Sequence, residues 1–419
     1  MSGPLRAYGA VTAAYWGFML TDGALRMLVL LHFNGLGFSA LTLAWLFLLY
    51  EIAGVVTNLA AGWIAARFGL ASTLYGGLAL QILALGALAQ LDPGWGLGAS
   101  VVFVMVVQGL SGVAKDLAKM SAKSAVKLLA PAAEGALFRL VAALTGSKNA
   151  VKGLGFFLGA ALLAGLGFAP ALWVMAAGLA LILGAIVAFL PPGLPAGQKG
   201  AKVSAIFSRD ARVNGLSLAR FFLFGARDTW FVVGIPIYFS ALFDDGTPEG
   251  GRAAFFLVGG FMALWIIGYG AVQAFAPRLL GAARRSEADL EGAARHWAGA
   301  LVPIPLALAL AVALAPAPAP WLTATLIAGL LLFGAVFAVN SSLHSYLILA
   351  FAGAERVSLD VGFYYMANAA GRLAGTALSG LSYQLGGLPA CLATAGAMAA
   401  ASWLAARWLD RLPRPAGAQ

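Results

Sequence analysis

Apolar stretches long enough to cross hydrocarbon follow one another along almost the whole chain, and few folds are compatible with that pattern. A membrane-spanning helix needs ~20 mostly apolar residues, because the hydrocarbon core is about 30 Å thick. Breaks at Gly, Pro and charge divide the chain into twelve stretches, read as helices over 8–32, 40–66, 71–90, 96–121, 136–166, 169–190, 213–240, 254–277, 296–315, 320–350, 358–385 and 388–409. The tenth is long for a single crossing, which implies tilt or a polar extension. Only 10% of the 419 residues are charged, against about 25% in soluble domains. That is too few to coat a globule of this size, and the mean hydropathy of +0.90 agrees. A soluble enzyme, a nucleic-acid binder and a disordered chain are excluded. The expected class is an all-α integral membrane protein with twelve transmembrane helices.

The segment 191–212, PPGLPAGQKGAKVSAIFSRDAR, is the one clear shift in composition. It predicts a six-helix half over 1–190, a cytoplasmic linker over 191–212 and a second half over 213–419. Basic residues follow the same division. With the N-terminus inside, the inner loops hold Arg67, Lys123, Lys127, Lys199, Lys202, Arg209, Arg212, Arg284, Arg285 and Arg356, and the tails add Arg6, Arg407, Arg411 and Arg414. The outer loops hold Arg252 beside Asp92, Asp244, Asp245 and Glu249. This asymmetry predicts cytoplasmic termini in the inner membrane. The N-terminus runs straight into a long apolar helix, so no cleaved leader is expected. The single cysteine, Cys391, allows no intrachain disulfide.

The halves echo each other. An offset of 206 superposes Asp22 on Asp228 and Phe33 on Phe239, and NAVKGLG (149–155) aligns with NAAGRLA (368–374), pairing Asn149 with Asn368. GVVT (54–57) matches GAVQ (270–273) more loosely. Parallel order across two six-helix halves is the architecture of the major facilitator superfamily.

Charge within the helices is the second informative pattern. A charge at the bilayer centre costs roughly 2.5–3.5 kcal/mol on insertion scales, so each needs a reason. The first stretch carries Asp22 and Arg26, the second Glu51, the seventh Arg220, Arg227 and Asp228, and the eleventh Arg372. Lys115, Lys119, Lys123 and Lys127 recur at four-residue spacing, which makes one stripe along a helix. Lys148 and Lys152 repeat the spacing, so six of the chain's eight lysines lie within 115–152. Asp116 alone cannot neutralise them. One reading is an anion path, with Lys115, Lys119, Lys148, Lys152, Arg227 and Arg372 binding a polyanion held between the halves and Arg26, Arg220, Asn149 and Asn368 in support. The other is that Lys123 and Lys127 are inner-surface charges and that Lys115 and Lys119 snorkel towards them. Asp22–Arg26 and Arg227–Asp228 read either as structural ion pairs or as sites of proton exchange. Glu51 has no basic residue near it in sequence and leads Asp22 and Asp228 as the proton-coupling candidate.

Remaining motifs are blander. GWIAARFG (62–69) resembles the superfamily's inner-loop motif with Ala66 at the acid position, and QGLSG (108–112) resembles its helix-4 motif with Met105 at the arginine position. GFFLGAALLAGLG (155–167) is a small-residue face suited to close helix packing. In NSSLHSY (340–346), His344 suggests an interhelical hydrogen bond, with substrate binding or proton shuttling as the alternative. His32 and His296 sit near helix ends. No phosphate-cradling glycine loop is present, and the three His and one Cys are scattered, so no ATP-driven step, cofactor, zinc site or enzymatic activity is expected.

LTDGALRMLVLLHF (20–33), EIAGVVTNLAAGWIAARFGL (51–70), AKDLAKMSAKSAVKLL (114–129), LTGSKNAVKGLGFFLG (144–159), FLFGARDTWFVVGIP (222–236) and LWIIGYGAVQAFAPRLL (264–280) together resemble the ArsJ family of organoarsenical efflux permeases. That resemblance spans nearly the whole chain. It implies export of 1-arseno-3-phosphoglycerate, which glyceraldehyde-3-phosphate dehydrogenase makes when arsenate replaces phosphate, and hence arsenate resistance. Alternating access by a monomer in the lipid bilayer, without nucleic acid, is the expected mode. Other candidates are an organophosphate–phosphate exchanger or other organic-anion exchanger of the same superfamily, a multidrug exporter and a membrane-embedded transferase. The multidrug exporter predicts an excess of buried acids, and the transferase predicts a His, Asp or Glu cluster at one membrane face.

Overall fold

The computed structural model describes residues 3–38, 46–129, 135–190, 194, 197, 207–243, 246–315, 318–353 and 355–412. Among them all regular structure is helical. The elements are α1 (Gly3–Gly35), α2 (Leu48–Phe68), α3 (Leu70–Leu88), α4 (Leu97–Leu129), α5 (Ala136–Leu166), α6 (Phe168–Phe189), α7 (Ala211–Thr229), α8 (Ile235–Phe243), α9 (Pro248–Leu279), α10 (Glu287–Leu301), α11 (Pro303–Leu314), α12 (Pro320–Phe351) and α13 (Val357–Leu409). Nine described segments are long and apolar enough to cross a membrane. The twelve-stretch pattern follows once α13 is seen to hold two stretches, and α1 and the α7–α8 pair supply the others. Lys199, Lys202, Asp244, Asp245 and Arg414 lie outside the described residues, as do the side chains of Glu249 and Arg252.

Local chemistry explains the boundaries. Asp210 caps α7 by accepting from the backbone N–H of Arg212 and Val213. Ser286 and Asp289 form a reciprocal capping box, so α10 starts at Glu287 rather than near 296. Gly387 breaks α13, with φ +63°, a left-handed conformation that costs a residue with a Cβ roughly 1 kcal/mol or more. A π-turn, Trp230–Gly234, separates α7 from α8. Pro236 follows it, has no N–H to donate, and would press its ring on the carbonyl of Val232 in a regular helix. The fourth stretch was expected to end at 121, yet α4 continues to Leu129. Its last turns carry the lysine stripe, which is packed rather than solvated.

Two compact units divide the chain. The first is Met1–Phe207 with Ala352–Ala369, and the second is Ser208–Phe351 with Ala370–Gln419. In the first unit α1 packs mainly on α5. A Cβ at Gly155 would strike the carbonyl of Leu20, and one at Gly159 that of Ala24, so the small-residue face lets two backbones touch. In the second unit Gly371 and Gly375 allow the same approach to the carbonyls of Phe221 and Gly225 on α7. The apolar core there is aromatic: the Trp230 ring centroid lies 5.5 Å from Trp265 and 5.4 Å from Phe333, both near-perpendicular.

Candidate functional site

Each unit sets bases against buried aspartate. In the first, Asp22 of α1 is 2% exposed. Its Oδ1 accepts from the Tyr50 hydroxyl at 2.7 Å, and its Oδ2 meets Lys152 Nζ at 2.5 Å. Lys115 Nζ stands 3.9 Å from the centroid of the Tyr50 ring, and the Arg26 guanidinium carbon 4.9 Å from it. Arg26 also bridges Glu51 at 3.4 Å. A second carboxylate, Asp116, is 0% exposed. It accepts from Lys119 at 2.7 Å, from Thr57 at 2.9 Å and from Asn58 at 3.0 Å, and Lys115 lies 3.9 Å away. Lys119 donates in addition to Asn58 Oδ1 and stands 4.6 Å from the Tyr365 ring centroid.

Four-residue spacing on α4 thus distributes successive lysines to different neighbours. Lys115 reaches Tyr50 on α2, Lys119 reaches Asn58 on α2 and Tyr365 on α13, and Lys123 donates to Thr145 on α5. Lys148 and Asn149 are half-buried one turn before Lys152, and Asn368 is nearly buried. The named side chains comprise six bases (Arg26, Lys115, Lys119, Lys123, Lys148, Lys152) against three carboxylates (Asp22, Glu51, Asp116). Desolvation makes such an imbalance costly and therefore informative.

In the second unit Asp228 follows Arg227 on α7. Arg227 holds Oδ1 at 2.5 and 2.6 Å, and Arg372 of α13 holds Oδ2 at 3.2 Å. The Phe224 ring carries Arg220 at 4.0 Å and Arg227 at 4.7 Å from its centroid. Arg220 donates to the carbonyl and hydroxyl of Ser341 at 3.2 and 3.0 Å. The Ser341 hydroxyl also meets the Tyr269 hydroxyl and the Gln273 amide, each at 3.1 Å. Two arginines here share one aspartate, and a third, Arg220, sits on the adjoining ring.

Four expectations change. Asp22 pairs with Lys152 rather than Arg26, because Arg26 is drawn to Glu51 and the α2 aromatics. Glu51 therefore does have a basic partner. Lys123 is not an inner-surface charge but 1% exposed. His344 makes no interhelical hydrogen bond, since neither ring nitrogen has a partner among the described residues. Tyr50, Thr57, Asn58 and Tyr365 were missed as site residues. A signal for the α2 set existed, since positions 50, 54, 57, 58 and 61 mark one helical face of polar and small residues. No group of His, Cys, Asp and Glu among the described residues could hold a metal ion. Clamps at the helix ends are separate: Arg212 bonds Glu287 and Glu291 at 2.9 and 3.0 Å, and Arg295 bonds Asp410.

This arrangement sits on a known scaffold. The human organic anion transporter MFSD10 (TETRAN) superposes with a TM-score of 0.71 at 17% identity, over 97% of this chain and 100% of that one. A bacterial homologue of the iron transporter ferroportin, in an outward-facing state, gives 0.71 at 13% identity over 98% and 99%. FucP, a major facilitator superfamily transporter in the outward conformation, gives 0.71 at 12% identity over 97% and 99%. No protein-family model matches the chain. No curated protein matches it in sequence. The chain is an all-helical, multi-pass membrane protein. Its fold is that of the major facilitator superfamily transporters.

Proposed function

We propose that the protein is a transporter that exports an anionic organoarsenical, 1-arseno-3-phosphoglycerate, and thereby confers arsenate resistance. The observation that carries this reading is the gathering of bases about a few carboxylates: Arg26, Lys115, Lys119, Lys123, Lys148 and Lys152 with Asp22, Glu51 and Asp116 in one unit, and Arg227 and Arg372 on Asp228, with Arg220 on the neighbouring Phe224 ring, in the other. A cargo bearing a phosphate and an arsenate ester supplies the missing negative charge. An exporter of apolar cations would need the opposite balance. Likeness to a human organic anion transporter supports the charge class only.

In this reading the halves 1–190 and 213–419, joined by 191–212, rock about a midplane site, with both termini in the cytoplasm. Lys115, Lys119, Lys148, Lys152, Arg227 and Arg372 receive the phosphate and arsenate groups, with Arg26, Arg220, Asn149 and Asn368 alongside. Asp22 and Asp228 compete with the cargo for Lys152 and for Arg227 and Arg372. When the cargo takes a base, the released carboxylate is stabilised by a proton, so Asp22, Asp228 or Glu51 couples export to proton entry. Membrane potential also favours anion exit, by ~2.3 kcal/mol per charge per 100 mV.

Arsenate resistance in a sensitive bacterium, with and without glyceraldehyde-3-phosphate dehydrogenase expressed alongside, tests the proposal. Protection is expected only with both. No protection with both refutes the arsenical cargo. Obligatory phosphate counterflow in vesicles would instead indicate an organophosphate–phosphate exchanger.

A further inference from the structure

The second unit contains an unsatisfied polar cluster that the two aspartate clamps do not use. Asn340 is 0% and His344 1% exposed. Both polar atoms of the amide and both ring nitrogens lack a hydrogen-bond partner among the described residues. A buried polar atom left unbonded is costly, so four of them within about one helical turn mark a place where bonds are made in another state or to a ligand.

Helical geometry assigns their neighbours. Phe337, Asn340 and His344 are spaced i, i+3, i+7, which is one face of α12. Phe337 on that face lies 5.1 Å from Phe224, the ring that carries Arg220 and Arg227, and 5.6 Å from the Arg227 guanidinium carbon. Arg220 donates to the carbonyl and hydroxyl of Ser341, the residue next to Asn340 and three before His344. Ser341, Ser342 and Ser345 flank the pair along α12, and Tyr269 and Gln273 hold Ser341 in place. Glu287 and Glu291 bond Arg212 at the helix end.

From these placements we infer that Arg220, Asn340 and His344 form an oxyanion subsite within the second unit, taking a phosphoryl or arsenyl group. Donors predominate: the guanidinium, the imidazole N–H and the amide NH₂. Asn340 Oδ1 accepts from a hydroxyl of a singly protonated oxyanion. A cation would meet the Arg220 charge, and an apolar ligand would leave every orphan unbonded. The inference deepens the anion-transport reading and rests on it for the chemistry of the cargo.

The test is calorimetric binding of inorganic phosphate and of 3-phosphoglycerate to the purified full-length protein, with N340D, H344A and the double variant N340L/H344L. N340D sets a carboxylate against the oxyanion and is expected to weaken binding about tenfold, as for one lost charge-assisted hydrogen bond. H344A should weaken it about fivefold on the same scale. N340L/H344L should lose binding while its ligand-free unfolding temperature rises, because the orphans are gone. The rise shows that the loss does not come from misfolding. Wild-type affinity in N340D and H344A overturns the inference, as does absence of binding in the wild type. If the wild type fails to protect against arsenate yet its phosphate binding falls in N340D, the cargo assignment fails and the subsite stands. If all variants protect and bind as the wild type does, the subsite fails and the transport reading stands.

Discussion

Asp22 and Asp228 occupy matching places in the two halves of the sequence, and their different partners set apart the two units. Asp22 is held by one ammonium, Lys152, and one hydroxyl, Tyr50. Asp228 is held by two guanidiniums, Arg227 and Arg372. Both partner helices close in through glycines, Gly155 and Gly159 against α1 and Gly371 and Gly375 against α7. A lysine is a compact, strongly hydrated point charge on a flexible stem, whereas arginine is a planar fork that holds a carboxylate in fixed geometry. The first clamp is therefore the easier to open and the second the stiffer.

Removing Asp228 is expected to have the largest effect. D228A leaves two partly buried arginines without their carboxylate and should destabilise the protein by about 3 kcal/mol, read as thermal unfolding in detergent. D22A should cost less, about 1–3 kcal/mol, because a single lysine is stranded and can reorient. Equal losses would remove the asymmetry between the clamps. Next come K152A and K148A, expected to abolish arsenate protection with membrane expression intact. Normal protection by both would sink the lysine path. G159V follows, forcing a branched side chain against the Ala24 carbonyl, at about 1–3 kcal/mol. The smallest stability effect belongs to E51Q. Its Arg26 partner is partly exposed and the pair is long, so the loss should be at most about 1 kcal/mol. If E51Q nevertheless uncouples export from the proton gradient, measured by internal pH in vesicles, Glu51 rather than Asp22 carries the proton.

Residues explain how far the sequence could be read. The α13 break is legible because Gly386, Gly387 and Pro389 interrupt an apolar run, and the Arg227–Asp228 pair because the partners are adjacent. The lysine stripe is legible as a periodicity, but its burial is not: Lys123 looked like an inner-loop charge until α5 brought Thr145 to it. Arg26 lies one turn from Asp22 and was the obvious partner, yet Lys152, 130 residues away, took the bond. His344 looked like a hydrogen-bonding group, yet neither ring nitrogen has a partner among the described residues.

By itself the sequence determined the membrane class, the number and rough limits of the helices, the echo between the two halves and the periodic lysines. These depend on local length, hydrophobicity and spacing. Tertiary structure alone decided which carboxylate meets which base, which lysines are buried and which polar atoms are left unbonded. In a low-dielectric interior, pairing is set by the helices that touch. That contact is made by glycines and aromatics far apart in the chain, which no local pattern encodes.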